Sequence, residues 1–275
     1  MNLPAKTNHG QLKPMLRAAT ACWRAARGFR EHRALTGYMA RRALKRAGFG
    51  VDAREPCSIR LDGLELRLLP GSGELFLYQE IFHDLAYERH PAFVLRPGWS
   101  VIDCGANIGM FSLRAARAGC AQIFALEPDP KTFPRLTLNL ERNGAAVTAL
   151  CSAVGRETGR AAFERNAVST LGRLIPHDLA AASVPSDVVD VMTIADVFDR
   201  FLLRSVNLLK LDIEGAEYEA LEGARPVLDR IERIVMEYHG AERLADCERL
   251  LRQCGFTRVA LVAPSYAYFA RAWVC

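Results

Sequence analysis

Four ionisable residues surround a glycine in the segment LLKLDIEGAEYEALEGA, which spans residues 208–224. They are Lys210, Asp212, Glu214 and Glu217. The segment begins as an apolar strand, and a charge at the end of a buried strand is costly unless another group compensates it. Acids in the first turn of a helix favour the helix dipole, which accounts for Glu214 and Glu217. Lys210 and Asp212 need a different explanation, such as a part in binding or in proton transfer.

A second polar cluster lies in VIDCGANIGMFSL, residues 101–113, which reads as a strand, a glycine turn and the start of a helix. Gly105 and Gly109 would let the backbone turn sharply and approach a ligand closely. Asp103 ends the strand and Asn107 lies in the turn, where both could bind a ligand or simply cap the helix and the turn. The segment is therefore a candidate cofactor loop.

Glu127 follows Gly105 by 127 − 105 = 22 residues and ends the next apolar strand. At this place a carboxylate can accept hydrogen bonds from both ribose hydroxyls of a nucleoside. The dinucleotide fingerprint G-x-G-x-x-G is incomplete, because Asn107 and Met110 occupy its second and third glycine positions. Asp103 would also repel phosphates and suit a cationic ligand. The pattern therefore favours S-adenosylmethionine, a nucleoside that carries a sulfonium and no phosphate.

The elements that must position these residues alternate between apolar strands and helices from about residue 100 onward. This alternation indicates a parallel sheet covered on both faces. Residues 57–76 predict a hairpin ahead of that sheet, and residues 256–274 predict two antiparallel strands at its end. Residues 164–187 are rich in turn formers and interrupt the alternation, which indicates an inserted loop.

The N-terminal 50 residues are strongly basic, since eleven Lys and Arg minus one acid, Glu31, give +10, whereas the remainder gives 25 − 30 = −5. We expect a solvated, helical arm over residues 1–55, although its charge would also suit peripheral contact with a membrane or with nucleic acid. No apolar run is long enough for a transmembrane segment. Eight scattered cysteines are typical of a reducing compartment, so we expect a cytoplasmic protein.

Three segments together resemble the FkbM family of S-adenosylmethionine-dependent methyltransferases, and the similarity runs from about residue 75 to 240. They are VIDCGANIGMFSL, ALEPDPKTFPRLTLNLERNG and LLKLDIEGAEYEALEGA. The resemblance implies an α/β, Rossmann-like class I methyltransferase fold over residues 56–275, with a seven-stranded, mostly parallel sheet and an antiparallel last strand. It also implies O-methylation, with S-adenosyl-L-methionine as cofactor and a sugar, glycolipid or natural product as the methyl acceptor.

By position, the family's cofactor contacts fall on Asp103, Gly105, Asn107, Gly109, Glu127, Ser152 and Ala153. The resemblance assigns the first four residues to the cofactor loop and Glu127 to the ribose. Ser152 and Ala153 would lie beside the adenine. Ser152 stands where many methyltransferases have an acid for the adenine amino group, so this chain departs from the common pattern there.

Catalysis is expected at the crowded strand end, because ligands of doubly wound sheets bind beyond the carboxyl ends of the strands. A hydroxyl that receives a methyl group must lose its proton, and a side chain within hydrogen-bond reach can accept it. Asp212, Glu214 and His239 are the candidates for this role. Lys210 would neutralise the carboxylates, and Glu217 would stabilise the start of its helix.

Three other interpretations stay open. One is a metal-assisted enzyme in which Asp212, Glu214 or Glu217 binds a divalent ion, although their spacing matches no fixed motif and we predict no metal. Another is an RNA 2′-O-methyltransferase with Lys210 as base and the basic arm on phosphates. It would normally carry an RNA-binding module or a row of aromatic residues, so nucleic acid is not expected as a partner. The last is a non-catalytic protein that binds the cofactor on the same scaffold.

Overall fold

The computed structural model describes residues 12–49, 55–165, 172–175 and 186–272. The chain divides into two compact units, residues 1–84 and residues 85–275. The boundary that we placed after residue 55 differs from this division, because the hairpin predicted within residues 57–76 belongs to the first unit. None of the described helices is both long and apolar enough to cross a membrane.

The described residues of the first unit form three α-helices and one hairpin. These are α1 (Leu12–Ala25), α2 (Phe29–Arg46), β1 (Cys57–Leu61), β2 (Leu64–Leu68) and α3 (Glu74–Tyr78), which continues as a π-helical turn (Gln79–His83). Strands β1 and β2 pair antiparallel. Asp62 and Gly63 connect them with left-handed φ angles of 47° and 83°, as the hairpin sequence predicts. On the inner face of α2, the buried Tyr38 donates a hydrogen bond to the carbonyl oxygen of Leu69, at 2.9 Å.

The second unit is built of alternating strands and helices. In chain order these are β3 (Ser100–Cys104), α4 (Met110–Arg117), β4 (Gln122–Leu126), α5 (Phe133–Arg142), β5 (Thr148–Leu150), β6 (Ala153–Val154), β7 (Gly159–Arg165), β8 (Gly172–Ile175), β9 (Ser186–Met192), α6 (Ile194–Arg200), β10 (Leu208–Leu211), α7 (Glu217–Ala224), β11 (Arg233–Glu237), α8 (Ala241–Gln253), β12 (Phe256–Val262) and β13 (Tyr266–Arg271). Two short 3₁₀ helices occupy Pro91–Phe93 and Arg225–Arg230.

Seven strands form the main sheet in the order β12-β13-β11-β10-β3-β4-β5. The strands from β11 to β5 are parallel, and β13 is antiparallel to both of its neighbours. This arrangement confirms the α/β, Rossmann-like fold with its antiparallel end. Strands β3 and β10 lie at the centre and are buried along their whole length. Their nearly continuous apolar sequences follow from burial on both faces.

A second, four-stranded sheet has the order β6-β9-β7-β8 and includes part of the predicted insertion. Residues 164–165 end β7, residues 172–175 form β8, which pairs antiparallel with β7, and residues 186–187 begin β9. These parts of segment 164–187 are strands rather than a loop. Strand β8 is only four residues long, and its backbone bonds to β7 outweigh a local sequence that favours turns. Residues 166–171 and 176–185 lie outside the described residues, and the loop prediction for them stays a prediction.

The chain reverses at Gly105, directly after β3, in a way that only glycine permits. Its φ is +77°, and a Cβ on this residue would overlap the backbone carbonyl oxygen of Asp212. In the same contact the N–H of Asp212 donates to the carbonyl oxygen of Cys104, at 3.2 Å. The sequence predicted that Gly105 lets the backbone approach a ligand. In the structure, the backbone that it approaches is that of the neighbouring strand end.

We expect Gly105→Ala to destabilise the protein strongly, because it combines backbone strain with a steric overlap. Gly98→Ala is the matched control, since Gly98 has φ +84° but a Cβ there has no neighbour within 4 Å. The control should cost about 1–2 kcal/mol from the left-handed backbone, and Gly105→Ala at least about 2 kcal/mol more from the overlap. Urea unfolding measures both free energies. Equal losses would show that the contact with Asp212 imposes no constraint.

Candidate active site

A pocket lies where β3, β4 and β10 end, as expected because ligands of doubly wound sheets bind beyond the carboxyl ends of the strands. Five of the seven predicted cofactor residues line it: Gly105, Asn107, Glu127, Ser152 and Ala153. Two of the predicted catalytic residues, Asp212 and Glu214, line it as well. The enclosed space is about 60 Å³, whereas ligand pockets commonly hold about 300–1,000 Å³.

Lys210 forms a buried ion-pair centre behind the pocket, with only 3% of its surface exposed. Its Nζ lies 2.9 Å from Asp103 Oδ1 and 3.6 Å from Asp212 Oδ2. It also donates to the carbonyl oxygen of Gly105, at 2.9 Å. Burial would lower the pKa of Lys210, but the charges of Asp103 and Asp212 and the hydrogen bond to Asp103 raise it above its ordinary value. Lys210 is thus held as an ammonium, the neutralising role that we predicted.

Asp103 does not face the pocket. It is fully buried, and Ser112 Oγ donates to its Oδ2 at 2.7 Å while Lys210 occupies the side of Oδ1. The parallel register places Lys210 directly beside Asp103 in the neighbouring strand. We predicted that Asp103 would suit a cationic ligand, but its cationic partner is the Lys210 side chain of the protein itself. This geometry opposes the direct cofactor contact predicted for the Asp103 carboxylate.

Asp212 lies at the rim of the pocket with 22% of its side chain exposed. Tyr87, which is almost fully buried, donates its hydroxyl to Asp212 Oδ2 at 2.9 Å. The Nζ of Lys210 lies 5.3 Å from the centre of the Tyr87 ring, so the same tyrosine contacts both charged groups. Within the described part of the chain, Asp212 Oδ1 has no hydrogen-bonding partner. The carboxylate is consequently fixed by one oxygen and open at the other.

Glu127 is nearly buried and accepts two backbone hydrogen bonds, from the N–H of Asn107 at 2.8 Å and from that of Asp129 at 2.9 Å. Burial raises the pKa of Glu127 to about 7, although these two hydrogen bonds partly offset the effect. Each carboxylate oxygen keeps a further lone pair that can accept a hydrogen bond. Glu127 therefore combines a fixed orientation with free acceptor capacity, as a ribose-binding residue requires.

The wall around Ser152 and Ala153 is more apolar than the sequence suggested. Ser152 Oγ lies 3.1 Å from the carbonyl oxygen of Asp190, to which it donates, and Ala153 is buried. Val154 and Phe163 complete this wall, and they come from β6 and β7 of the smaller sheet. Sequence reasoning missed both residues, because nothing in the local pattern of β7 indicates which pocket it covers. An apolar wall suits the faces of an adenine ring.

Two residues that are not glycine adopt left-handed backbone conformations at the pocket, namely Asn107 with φ 51° and Glu214 with φ 54°. Such conformations are uncommon outside glycine and cluster at functional sites. Gly109, the fourth residue of the predicted cofactor loop, does not line the pocket. Its φ is +88°, and a Cβ there would lie 2.7 Å from Leu136 Cδ1, so this glycine lets α4 pack against α5.

His239 bridges two acids beside the pocket. Its Nδ1 lies 2.9 Å from Glu217 Oε1, and its Nε2 lies 3.3 Å from Glu214 Oε2. The hydrogen bond to Glu217 raises the pKa of His239 to about 9, with help from the charges of Glu217, Glu214 and Asp212 and against the effect of burial. Burial and the charge of Asp212 raise the pKa of Glu214. His239 is thus an imidazolium at neutral pH, which disfavours it as the base.

Asp212, Glu214 and His239 also come together as a possible set of metal ligands. Each offers one ligand atom, and the three atoms lie within 4.8 Å of one another. The sequence did not predict this grouping, because His239 belongs to the next strand end and matches no metal motif. Charge balance explains the same arrangement without an ion, since Lys210 and His239 are two cations among the acids of the site.

Glu217 was predicted to stabilise the start of its helix. In the structure its carboxylate accepts hydrogen bonds from His239 and from the N–H of Gly215, the latter at 3.0 Å.

Comparisons with known proteins identify one family. A family model described as the methyltransferase FkbM domain matches residues 103–258. The 31-O-demethyl-FK506 methyltransferase FkbM of Streptomyces tacrolimicus is 33% identical over 222 residues, which cover 70% of this chain and 85% of that protein. Methyltransferase 1 of Beauveria bassiana is 31% identical, covering 70% and 84%. The hexuronic acid methyltransferase AglP of Haloferax volcanii is 27% identical, covering 55% and 60%.

The order and directions of the seven strands are those of the class I methyltransferase fold. The chain belongs to the FkbM methyltransferase family, since the family model matches more than half of it. This finding confirms the resemblance read from the three sequence segments, and the protein is a methyltransferase.

The pKa of His239 predicts a pH-dependent part of the stability. A group whose pKa rises from 6.5 to about 9 on folding stabilises the fold fully below pH 6.5, and this contribution is lost as the pH rises through 9. The measured quantity is the free energy of unfolding of the wild type minus that of His239→Gln. We expect this difference to be about 1–3 kcal/mol larger at pH 6 than at pH 9.5. Denaturant titrations across this range measure the difference. A difference that is constant with pH would contradict the ion pairing.

Proposed function

We propose that the protein transfers a methyl group from S-adenosylmethionine to a hydroxyl group of a sugar, a glycolipid or a natural product. The observation that carries the proposal is that Glu127 and Asp212 line the same pocket. The first has the geometry of a ribose-binding carboxylate, and the second is a partly exposed acceptor. Two relatives, one named as a methyltransferase of 31-O-demethyl-FK506 and one as a methyltransferase of hexuronic acid, support such acceptors.

The residues of the pocket fit the cofactor chemically. Three carboxylates line it, those of Glu127, Asp212 and Glu214, and none of its described lining residues is a Lys or an Arg. This acidic lining suits a ligand that carries a sulfonium and an ammonium and would repel phosphates. Gly105, Asn107 and Glu127 would hold the nucleoside, with Ser152 and Ala153 beside the base. When bound, S-adenosylmethionine supplies a methyl group activated by a positively charged sulfur.

Asp212 is the residue best placed to act on the acceptor. Tyr87 binds Oδ2 and Asp212 lines the pocket, so Oδ1 would be the oxygen that accepts a hydrogen bond from the acceptor hydroxyl. Such a bond orients the oxygen for an in-line displacement and gives its proton a destination. Glu214 stays a second candidate, because its raised pKa makes it a better proton acceptor than an ordinary carboxylate.

Lys210 and His239, also predicted as catalytic candidates, would act through charge rather than as bases. Lys210 is buried and held as an ammonium, so it neutralises Asp103 and Asp212. Its raised pKa opposes the alternative in which Lys210 deprotonates an RNA ribose. His239 would keep Glu214 and Glu217 in place. The two cations together let several acids share one small site.

The proposal is tested by offering labelled methyl donor and the purified protein to extract fractions. Label should enter the carbohydrate, lipid or small-molecule fraction, and label in the nucleic acid fraction would contradict the proposed acceptor class.

Once an acceptor has been identified, Asp212→Asn should lower kcat and kcat/KM together by about 10²–10⁴-fold, the usual contribution of positioned proton transfer. Asparagine can still accept the Tyr87 hydrogen bond and Asp103 still pairs with Lys210, so the fold should be kept. Cofactor affinity should change by no more than about half a kcal/mol.

His239→Gln is the matched comparison for Asp212→Asn, since both side chains adjoin Glu214 and only Asp212 is proposed to touch the acceptor. A larger loss of turnover in His239→Gln would assign the base to histidine instead. Chelator should leave activity unchanged, because the proposed step uses no metal. Activity that is lost with chelator and restored by magnesium would make Asp212 a metal ligand.

Glu127 gives a pH-dependent prediction for cofactor binding. Only the ionised carboxylate can accept from two ribose hydroxyls, and its pKa of about 7 means that a proton must leave on binding at or below neutral pH. We expect the affinity for S-adenosylhomocysteine to fall by up to about tenfold per pH unit below 7. Calorimetry in buffers of different ionisation enthalpy should also detect proton release at pH 7.

Glu127→Gln should weaken this binding by about 1–3 kcal/mol, the cost of leaving a hydrogen-bonding partner unmet. It should also remove the dependence on pH. Glu141→Gln, on the exposed side of α5, is the matched control and should bind as the wild type does. Unchanged affinity in Glu127→Gln would show that the ribose assignment is wrong.

A further inference from the structure

A wide groove runs along one side of α2 in the first unit. Phe29, Arg33 and Arg41 line it at intervals of four or eight residues, which places them on one face of the helix. Arg30 adds a third guanidinium, and Cys57 of β1 forms part of the opposite wall. The groove thus combines three cations with an aromatic ring. Nothing in the methyl-transfer site accounts for it.

The segment that contains α1 and α2 carries a large net positive charge. Residues 12–49 contain ten Lys and Arg and one acid, Glu31, so their net charge is 10 − 1 = +9. Within the described part of the chain, Arg30 and Arg33 have no ion-pair partner. Both side chains are exposed. The field at this face is therefore uncompensated, and it would attract a surface of negative charge.

Large apolar side chains are exposed next to these arginines. Phe29 is 83% exposed, Leu16 59% and Trp23 51%. Leu16 and Trp23 are seven residues apart on α1, which puts them on the same side two turns apart. The Trp23 ring contacts the ring of His32, with the centroids 4.4 Å apart, and His32 follows Phe29 by one turn of α2. The exposed apolar groups therefore continue from α1 to the groove.

We propose that Leu16, Trp23, Phe29, Arg30 and Arg33, named here the basic aromatic face, bind the surface of an anionic lipid bilayer. Helices that lie in the membrane interface carry Lys and Arg beside Trp, Phe and Leu, because the cations meet lipid phosphates while the apolar groups enter the acyl boundary. The aliphatic Leu16 favours lipid over nucleic acid, since bases stack on aromatic rings and gain little from an aliphatic group.

The test uses the full chain and sedimentation with vesicles of phosphatidylcholine, with and without phosphatidylglycerol. We expect binding only to the anionic vesicles. Arg30→Glu with Arg33→Glu should weaken it by at least about tenfold, since each cation near an anionic surface contributes several-fold. Arg117→Glu with Arg142→Glu makes the same charge change on exposed residues of the second unit and should leave binding nearly unchanged.

The apolar part of the face has its own matched pair. Phe29→Ala should weaken vesicle binding several-fold, whereas Leu202→Ala, which removes a side chain 86% exposed in the second unit, should not. Circular dichroism checks that the variants stay folded. If Arg30→Glu with Arg33→Glu unfolds the helix, Arg30→Gln with Arg33→Gln is used in its place.

Three results would overturn the proposal. Equal binding to vesicles with and without phosphatidylglycerol would remove the charge argument. An equal loss in the Arg117 and Arg142 double variant would show attraction by net charge and not by this face. Tighter binding of single-stranded RNA than of anionic vesicles, lost in the Arg30 and Arg33 variant, would make the face a nucleic acid surface.

Discussion

One buried ammonium group holds the strand ends of the site together. An isolated Lys210 charge in the centre of the sheet would be very costly, and Asp103, Asp212 and the carbonyl oxygen of Gly105 compensate it from two neighbouring strands. Removal of a partner would leave buried charge behind, so the three groups are fixed relative to one another. The close contact of Gly105 with the Asp212 backbone adds a steric constraint to this electrostatic one.

The remaining polar groups take their places from that centre. Asp103 is committed to Lys210 and Ser112, so Asp212 is the one of the two acids paired with Lys210 that reaches the pocket. Tyr87 then contacts both Asp212 and Lys210, so one buried aromatic residue orients the acid and packs on the cation. A partly exposed carboxylate with one free oxygen, held by a rigid network, is a sound basis for orienting a hydroxyl group.

Local patterns in the sequence sufficed to predict the sheet, its antiparallel end and the position of the pocket. The periods of strands and helices are short-range features, and the pocket follows from where the strands end. They also sufficed to place Glu127 at the pocket, because its spacing from Gly105 is set by one βαβ unit. They could not show that Asp103 faces Lys210, since this depends on the register between strands about a hundred residues apart. Tyr87 was missed for the same reason, because it lies 125 residues from Asp212. The imidazolium state of His239 depends on Glu217, an acid that the sequence alone assigned to a helix start.

The central claim is that the network around Lys210 leaves Asp212 facing a nucleoside that Glu127 holds. A crystal structure of the protein with S-adenosylhomocysteine tests this most directly. The account predicts both ribose hydroxyls within hydrogen-bonding distance of the Glu127 carboxylate and the ligand sulfur on the side of Asp212, with the Lys210–Asp103 pair intact. A ribose bound away from Glu127, or an Asp212 side chain turned from the ligand into the core, would contradict it.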